Sequence, residues 1–133
     1  MKKRLQVAVG IILNKHEQVL IARRHTHQHQ GDLWEFPGGK REVNETRLEA
    51  LQRELQEEVG LEVEQAEPFM QIVHDYPELQ VELDVWLVTN FVGDATGKEG
   101  QPLQWCALTA LKEKDFPAAN VEIIERLQSL YAD

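Results

Sequence analysis

The chain has 133 residues, 23 Asp and Glu against 14 Lys and Arg, a net charge of −9 and a single cysteine. That length suits one domain spanning residues 1–133, able to bury about two-thirds of its unfolded surface without a disulfide or structural metal. The acidity disfavours grip on a nucleic-acid polymer. No run approaches the roughly 20 apolar residues of a membrane span.

Met1-Lys2-Lys3-Arg4 is basic but leads into Leu5-Gln6-Val7-Ala8-Val9, too short and polar for a secretory core. Val7 to Leu13 and Gln18 to Ala22 read as strands around a turn at Asn14-Lys15-His16-Glu17. A loop from His25 to Asp32 follows, carrying His25, His27 and His29. Without neighbouring cysteines or zinc-ligand spacing, these histidines suit a polar lid better than a zinc site. Glu35-Phe36-Pro37-Gly38-Gly39-Lys40 then brings a strand into a glycine turn. The next segment is helical: Thr46-Arg47-Leu48-Glu49 has the form of a capping box, and Gly60 suits the position just past the end. Leu48, Leu51, Leu55 and Val59 recur at helical spacing as its expected buried stripe. Phe69 to Asp75 and Val81 to Asn90 form an expected antiparallel pair broken at Tyr76-Pro77-Glu78. Gly93 to Pro102 is a glycine-rich loop, followed by a short strand around Gln104 to Leu108. Ile123, Ile124, Leu127 and Leu130 give the last segment a helical stripe. Strands mixed with two helices predict an α+β, mixed-sheet domain. Cys106, in the short strand, reads as a small buried apolar group, and a lone thiol fits a reducing cytoplasm. Trp34, Trp86 and Trp105 read as core or rim aromatics. Nothing demands a partner, so a monomer is the expected state.

Chemistry concentrates on the first helix. At about 100° per residue, Glu54, Glu57 and Glu58 share an arc of roughly 100° beside the apolar stripe. Carboxylates so placed repel one another unless a cation sits among them, and hard oxygen donors suit Mg²⁺ or Mn²⁺. An acidic chain binds a polyphosphate when cations accompany it, so free nucleotides are a better expectation than polymers.

The run Gly39-x5-Glu45-x7-Arg53-Glu54-Leu55-Gln56-Glu57-Glu58-Val59-Gly60-Leu61 fills all nine specified positions, over 23 residues, of a pattern that resembles the Nudix box. Nudix hydrolases act on nucleoside diphosphates linked to another moiety. The resemblance extends to Leu5-Gln6, Ala8 to Ile12, Arg23-Arg24, Gly97 to Pro102 and Asp115-Phe116-Pro117-x-Ala119-Asn120, which look like the MutT-type branch of that family. In place of an arginine of the MutT pattern this chain has Leu79. The resemblance implies an α/β/α sandwich with a mixed sheet, and hydrolysis of 8-oxo-dGTP to the monophosphate and pyrophosphate, keeping the oxidised base out of DNA. It implies Mg²⁺, with Mn²⁺ able to substitute, on the Gly38 carbonyl, Glu54, Glu57, Glu58 and Glu99. Water attack at the β-phosphorus and a general base, either Glu54 or Glu99, are implied in the same way. Arg53 is counted with the catalytic residues, although with Glu45 it suits a brace for the loop better than a group that reacts. Arg24, His29, Glu35, Phe36, Pro37, Gly38 and Asn120 match positions at or near the nucleotide.

Two of these keep a plainer alternative: Phe36 is either a base contact or core, and Asn120 either a helix cap or a reader of the base. One amide offers an acceptor and a donor side by side, matching the N7–H and O6 of 8-oxoguanine, whereas guanine presents two acceptors. Two other readings stay open. One is the same chemistry on another modified nucleotide or a pterin triphosphate. The other is a nucleotide-sensing domain that does not hydrolyse, which would be expected to lose the box carboxylates that this chain keeps.

Overall fold

The computed structural model describes residues 3–24 and 33–131. The strands are β1 (Lys3–Ile12), β2 (Gln18–Arg23), β3 (Trp34–Glu35), β4 (Gly38–Lys40), β5 (Glu62–Asp75), β6 (Leu79–Val92) and β7 (Leu103–Ala107), and the α-helices are α1 (Arg47–Val59) and α2 (Val121–Tyr131). They build a four-stranded sheet, β4-β1-β6-β5, and a three-stranded sheet, β3-β2-β7. β1 runs parallel to β6, from Lys3 opposite Leu79 to Ile12 opposite Val88, and every other pairing is antiparallel. The mixed sheet is as the sequence predicts. β1 and β2 flank the predicted turn but lie in different sheets, with an isolated bridge between Leu13 and Val19 beside the turn. Asn14 Oδ1 closes that turn by accepting from the His16 and Gln18 N–H groups.

Strand alternation sorts the core into two layers. Val9, Ile11 and Leu13 of the first strand segment join Val19, Ile21, Val81, Leu83 and Val85 on one face, packed against Ile123, Ile124 and Leu127 of α2. Ala8, Ile12, Leu20 and Val88 face the other way, onto Ala50, Leu51, Leu55 and Val59 of α1. The result is an α/β/α sandwich. Cys106 is buried in β7, as expected.

Each end of α1 has the predicted cap. Thr46 accepts from the Glu49 N–H, and the Glu49 carboxylate accepts from the Thr46 N–H. Such a cap is worth about 0.5–2 kcal/mol. Gly60 closes the helix at φ 71°, the left-handed conformation that glycine adopts without steric cost. Two stripe assignments need correction. Leu48 is 38% exposed, because it borders an open groove beside Pro68, Phe69 and Trp86, and Leu130, in the last turn of α2, is 56% exposed; Ala50, at 0%, is the buried residue in that part of α1. A small side chain there lets the helix approach the strands.

Candidate active site

Gly38 and Gly39 open β4, paired with Val9 and Ala8 of β1, and this pairing delivers the chain to the start of α1. Neither position has room for a side chain. A Cβ on Gly38 would lie 2.0 Å from the Ala8 carbonyl oxygen, and one on Gly39 would lie 2.3 Å from the Glu54 carboxylate. The glycine turn therefore seats the backbone directly against the acidic face of α1. Its Gly38 N–H donates to Glu58 Oε2 at 2.9 Å.

This close approach separates the two glycines by outcome. Gly38→Ala collides with rigid backbone and is expected to cost about 3 kcal/mol or more, since overpacking against fixed atoms already costs 1–3. Gly39→Ala meets a side chain that can rotate. It is expected to fold, with only a modest fall in melting temperature, but to lose most activity by displacing Glu54. Thermal unfolding and turnover measured on both variants check this contrast.

Between Gly39 and α1 the loop is held by Arg53. Its guanidinium forks onto both carboxylate oxygens of Glu45, donates to the Lys40 carbonyl oxygen at 3.0 Å, and reaches Glu54 and Glu57 at 3.1 Å each. The Arg53 hydrogen bond, aided by the Glu42 N–H, holds Glu45 down at about 2. Arg53, surrounded by these acids, is shifted further toward its charged form. The predicted brace between Glu45, Arg53 and the loop is thus present, and Arg53 also steadies the Glu54 carboxylate.

The carboxylates differ in their surroundings. Burial raises Glu54, against the opposing pull of Arg53, and the charges of Glu57 and Glu99 add to the rise. Glu58 is pushed up to about 8, by burial first and then by the charges of Glu35, Glu54 and Glu99. Glu57 is the outlying member, with a side chain 57% exposed and turned to Arg53. Among the described residues, no three His, Cys, Asp or Glu side chains converge on one metal-sized space. The donor set nonetheless fits a hard divalent cation: it is all oxygen, and Glu54 and Glu58 are raised by burial first and by neighbouring carboxylates second, which a bound cation offsets. Side-chain rotation of Glu57 and Glu99 would complete the convergence.

Glu99 arrives from the loop between β6 and β7, which is fastened to the C-terminal end of α1. The Lys98 N–H donates to the Glu58 carbonyl oxygen at 3.0 Å and the Thr96 N–H to that of Val59 at 2.9 Å. These bonds satisfy carbonyls that a helix end otherwise leaves open.

Beside the carboxylates lies a cavity of about 170 Å³, bordered by Gly38, Arg24, Glu35, Phe36, Asn120 and Leu79 among others. It gathers most of the predicted nucleotide-contacting residues. Arg24 and Glu35 are paired to each other by an ion pair, because the β2–β3 register sets Ala22 opposite Glu35. Phe36 is buried, stacked on Phe116 with ring centroids 5.2 Å apart, and also borders the cavity, so it belongs to core and pocket together. Pro37 contributes its carbonyl to the Gly10 N–H, which fixes the strand entering the turn. His29, with His25 and His27, lies outside the described residues.

Asn120 ends a short 3-10 turn, Ala118–Asn120, that runs directly into α2. Its place immediately before Val121 suits a cap of α2, and its place on the cavity wall suits a reader of the base. Asn120 is one of two buried polar side chains among the described residues, at 9% exposure, and it borders the cavity. Sequence reasoning missed Tyr76, which lines the same cavity and accepts the Ala119 N–H at its phenol oxygen, 3.0 Å away. A hairpin-turn tyrosine anchoring a residue 43 positions downstream leaves no local signal.

Comparison with known proteins places this geometry among relatives. The NUDIX domain family model matches residues 8–126. The chain is 43% identical to the 8-oxo-dGTP diphosphatase of Escherichia coli (strain K12) over 128 residues, covering 96% of this chain and 99% of that protein. It is 32% identical to the CTP pyrophosphohydrolase of the same organism over 124 residues, 93% of this chain and 92% of the relative. A solved MutT structure, from a study of the Aliivibrio salmonicida and Vibrio cholerae proteins, superposes with a TM-score of 0.85 at 35% identity, covering 97% of this chain and all of that one.

Proposed function

The chain belongs to the NUDIX domain family, and from that membership we propose that it is a nucleoside triphosphate pyrophosphohydrolase converting 8-oxo-dGTP to 8-oxo-dGMP and pyrophosphate, so that the oxidised base is not incorporated into DNA. It is a hydrolase of phosphorus anhydrides acting on a small nucleotide. The observation that carries the substrate assignment is the cavity beside the acidic helix, with the buried Asn120 amide on its wall and Gly38 at its border with the carboxylates.

Hydrolysis in this family needs a divalent cation, and Mg²⁺ is the ion we assign, with Mn²⁺ as a substitute. Glu54, Glu57, Glu58, Glu99 and the Gly38 carbonyl would hold it. When bound, it neutralises phosphate oxygens and lowers the pKa of a nearby water. The remaining work falls to the chain. Glu54, its carboxylate held between the Gly39 backbone and Arg53, takes the proton as water oxygen bonds to the β-phosphorus. The bond from that phosphorus to the bridging oxygen breaks, and the two products leave as monophosphate and pyrophosphate. Glu99 is the second candidate for the base. Arg24 and Glu35, already paired, border the base pocket, and Pro37, which does not line it, anchors the chain between Phe36 and Gly38 through the Gly10 N–H. His29 is assigned to the nucleotide by family resemblance alone. A single domain, a monomer and a cytoplasmic setting complete the proposal.

The Asn120 amide can accept from N7–H and donate to O6 of 8-oxoguanine, whereas guanine leaves one of its groups facing a like partner. Such a mismatch costs about 1–3 kcal/mol per buried group. Asn120→Ala is therefore expected to raise KM for 8-oxo-dGTP by about tenfold or more while dGTP changes little. Steady-state kinetics on the two nucleotides check it, and equal losses would remove the residue from base recognition. Because one relative is a CTP pyrophosphohydrolase, CTP belongs in the same panel, as does a pterin triphosphate.

A further inference from the structure

Gln101 is the other buried polar side chain among the described residues, also at 9% exposure. Both ends of its amide are used. Its Oε1 accepts the Glu99 N–H at 2.9 Å, and its Nε2 donates to the Glu58 carbonyl oxygen at 3.1 Å. One side chain therefore joins the loop to the helix through the backbone groups of Glu99 and Glu58. The loop is shaped around this staple: a Cβ on Gly97 would lie 2.1 Å from the Gln101 carbonyl oxygen. The Lys98 N–H shares the Glu58 carbonyl with Gln101, so the loop is sewn to the last turn of α1 on both sides of Glu99.

We propose that Gln101 is the positioning residue that holds Glu99 against the glutamates of α1, so that cation affinity and turnover depend on a side chain that touches neither cation nor nucleotide. This rests on the assignment of Glu58 and Glu99 as cation ligands. An amide is suited to the task because it must accept from one backbone group and donate to another at the same time. Residues that orient metal ligands typically change metal affinity 10- to 100-fold when replaced. The base pocket lies elsewhere, bordered by Asn120, and is untouched by the staple.

The test uses the full chain, Gln101→Met, Glu99→Gln and the double variant. Three quantities are read: Mn²⁺ affinity without nucleotide, exchange of the Glu99 backbone amide, and kcat/KM for 8-oxo-dGTP against dGTP. Gln101→Met is expected to weaken Mn²⁺ binding about tenfold, to speed Glu99 amide exchange by a similar factor, and to leave the ratio between nucleotides within about twofold. In that background Glu99→Gln is expected to add little, because the carboxylate has already lost its place. Unchanged Mn²⁺ affinity with a protected Glu99 amide overturns the inference, and so does a Glu99→Gln penalty that is equal in both backgrounds. Should Gln101→Met fail to fold, Gln101→Glu keeps an oxygen for the Glu99 N–H. Retained amide protection then supports the staple, and lost protection overturns it. Wild-type protein that takes up no Mn²⁺ overturns the functional reading together with this one, whereas normal wild-type uptake with an indifferent Gln101→Met overturns this one alone.

Discussion

Glu54→Gln is expected to lower kcat by about a thousandfold, within the 10²–10⁴ range for loss of a general base, while the melting temperature shifts by only a few degrees. The two expectations have separate causes. Glutamine has nearly the same shape, so the side chain can still fit against the Gly39 backbone and accept from Arg53. What disappears is the negative charge and the capacity to take a proton. A thousandfold loss corresponds to about 4 kcal/mol of barrier, more than packing around an isosteric replacement can account for. Glu57→Gln supplies the companion test. Its side chain is 57% exposed, so the fold is indifferent to it, yet turnover is expected to fall by orders of magnitude if it donates to the cation. Near-normal rates for both variants would strip the helix of its assigned chemistry.

Glu58→Gln should do something less usual: make the cation-free protein more stable while abolishing activity. The Glu58 carboxyl is held at about 8 in the folded chain against an ordinary value of 4.5. A folded-state value above the unfolded one means that this group's contribution to stability is fully present below about 4.5 and is lost as pH rises through 8. Glutamine stays neutral throughout and can still accept from the Gly38 N–H. At pH 8 to 9 in the presence of a chelator, the variant is expected to exceed wild type by about 1–3 kcal/mol, a discounted conversion at 1.36 kcal/mol per pKa unit. Below pH 4.5 the difference should vanish. Saturating Mg²⁺ should reverse the order, because only the wild-type carboxylate gains from the cation. Denaturant melts at two pH values, with and without metal, check all three statements. A variant less stable than wild type at high pH in chelator would show that Glu58 is held by its contacts and not strained by its charge.

These two residues also mark how far the sequence could be read. The capping box, Gly60 and the burial of Leu51, Leu55 and Val59 follow from local spacing, and local hydrogen bonds enforce them. Leu48 failed because periodicity counts apolar side chains without knowing that an open groove lies beside the first turn of the helix. The glutamate arc was legible as an angle, but the ranking within it was not. Glu58 is half-buried and Glu57 exposed because a glycine turn from β4 covers one side of the helix and Arg53 draws Glu57 to the other. The Arg24–Glu35 pair depends on a two-residue strand whose register no local pattern encodes. Asn120 keeps both of its readings, cap and base reader, because the start of α2 and the wall of the cavity coincide there. The roles of Tyr76 and Gln101 rest on hydrogen bonds to backbone groups 43 residues away, which residue type alone does not announce.

The most direct test of the whole account is the ratio of kcat/KM for 8-oxo-dGTP to that for dGTP, measured on the wild-type chain with Mg²⁺. The account predicts a preference of about two orders of magnitude or more, from a buried amide that one base satisfies and the other leaves mismatched, reinforced by the rest of the pocket. Equal values for the two nucleotides, or no pyrophosphate released from either, would contradict it.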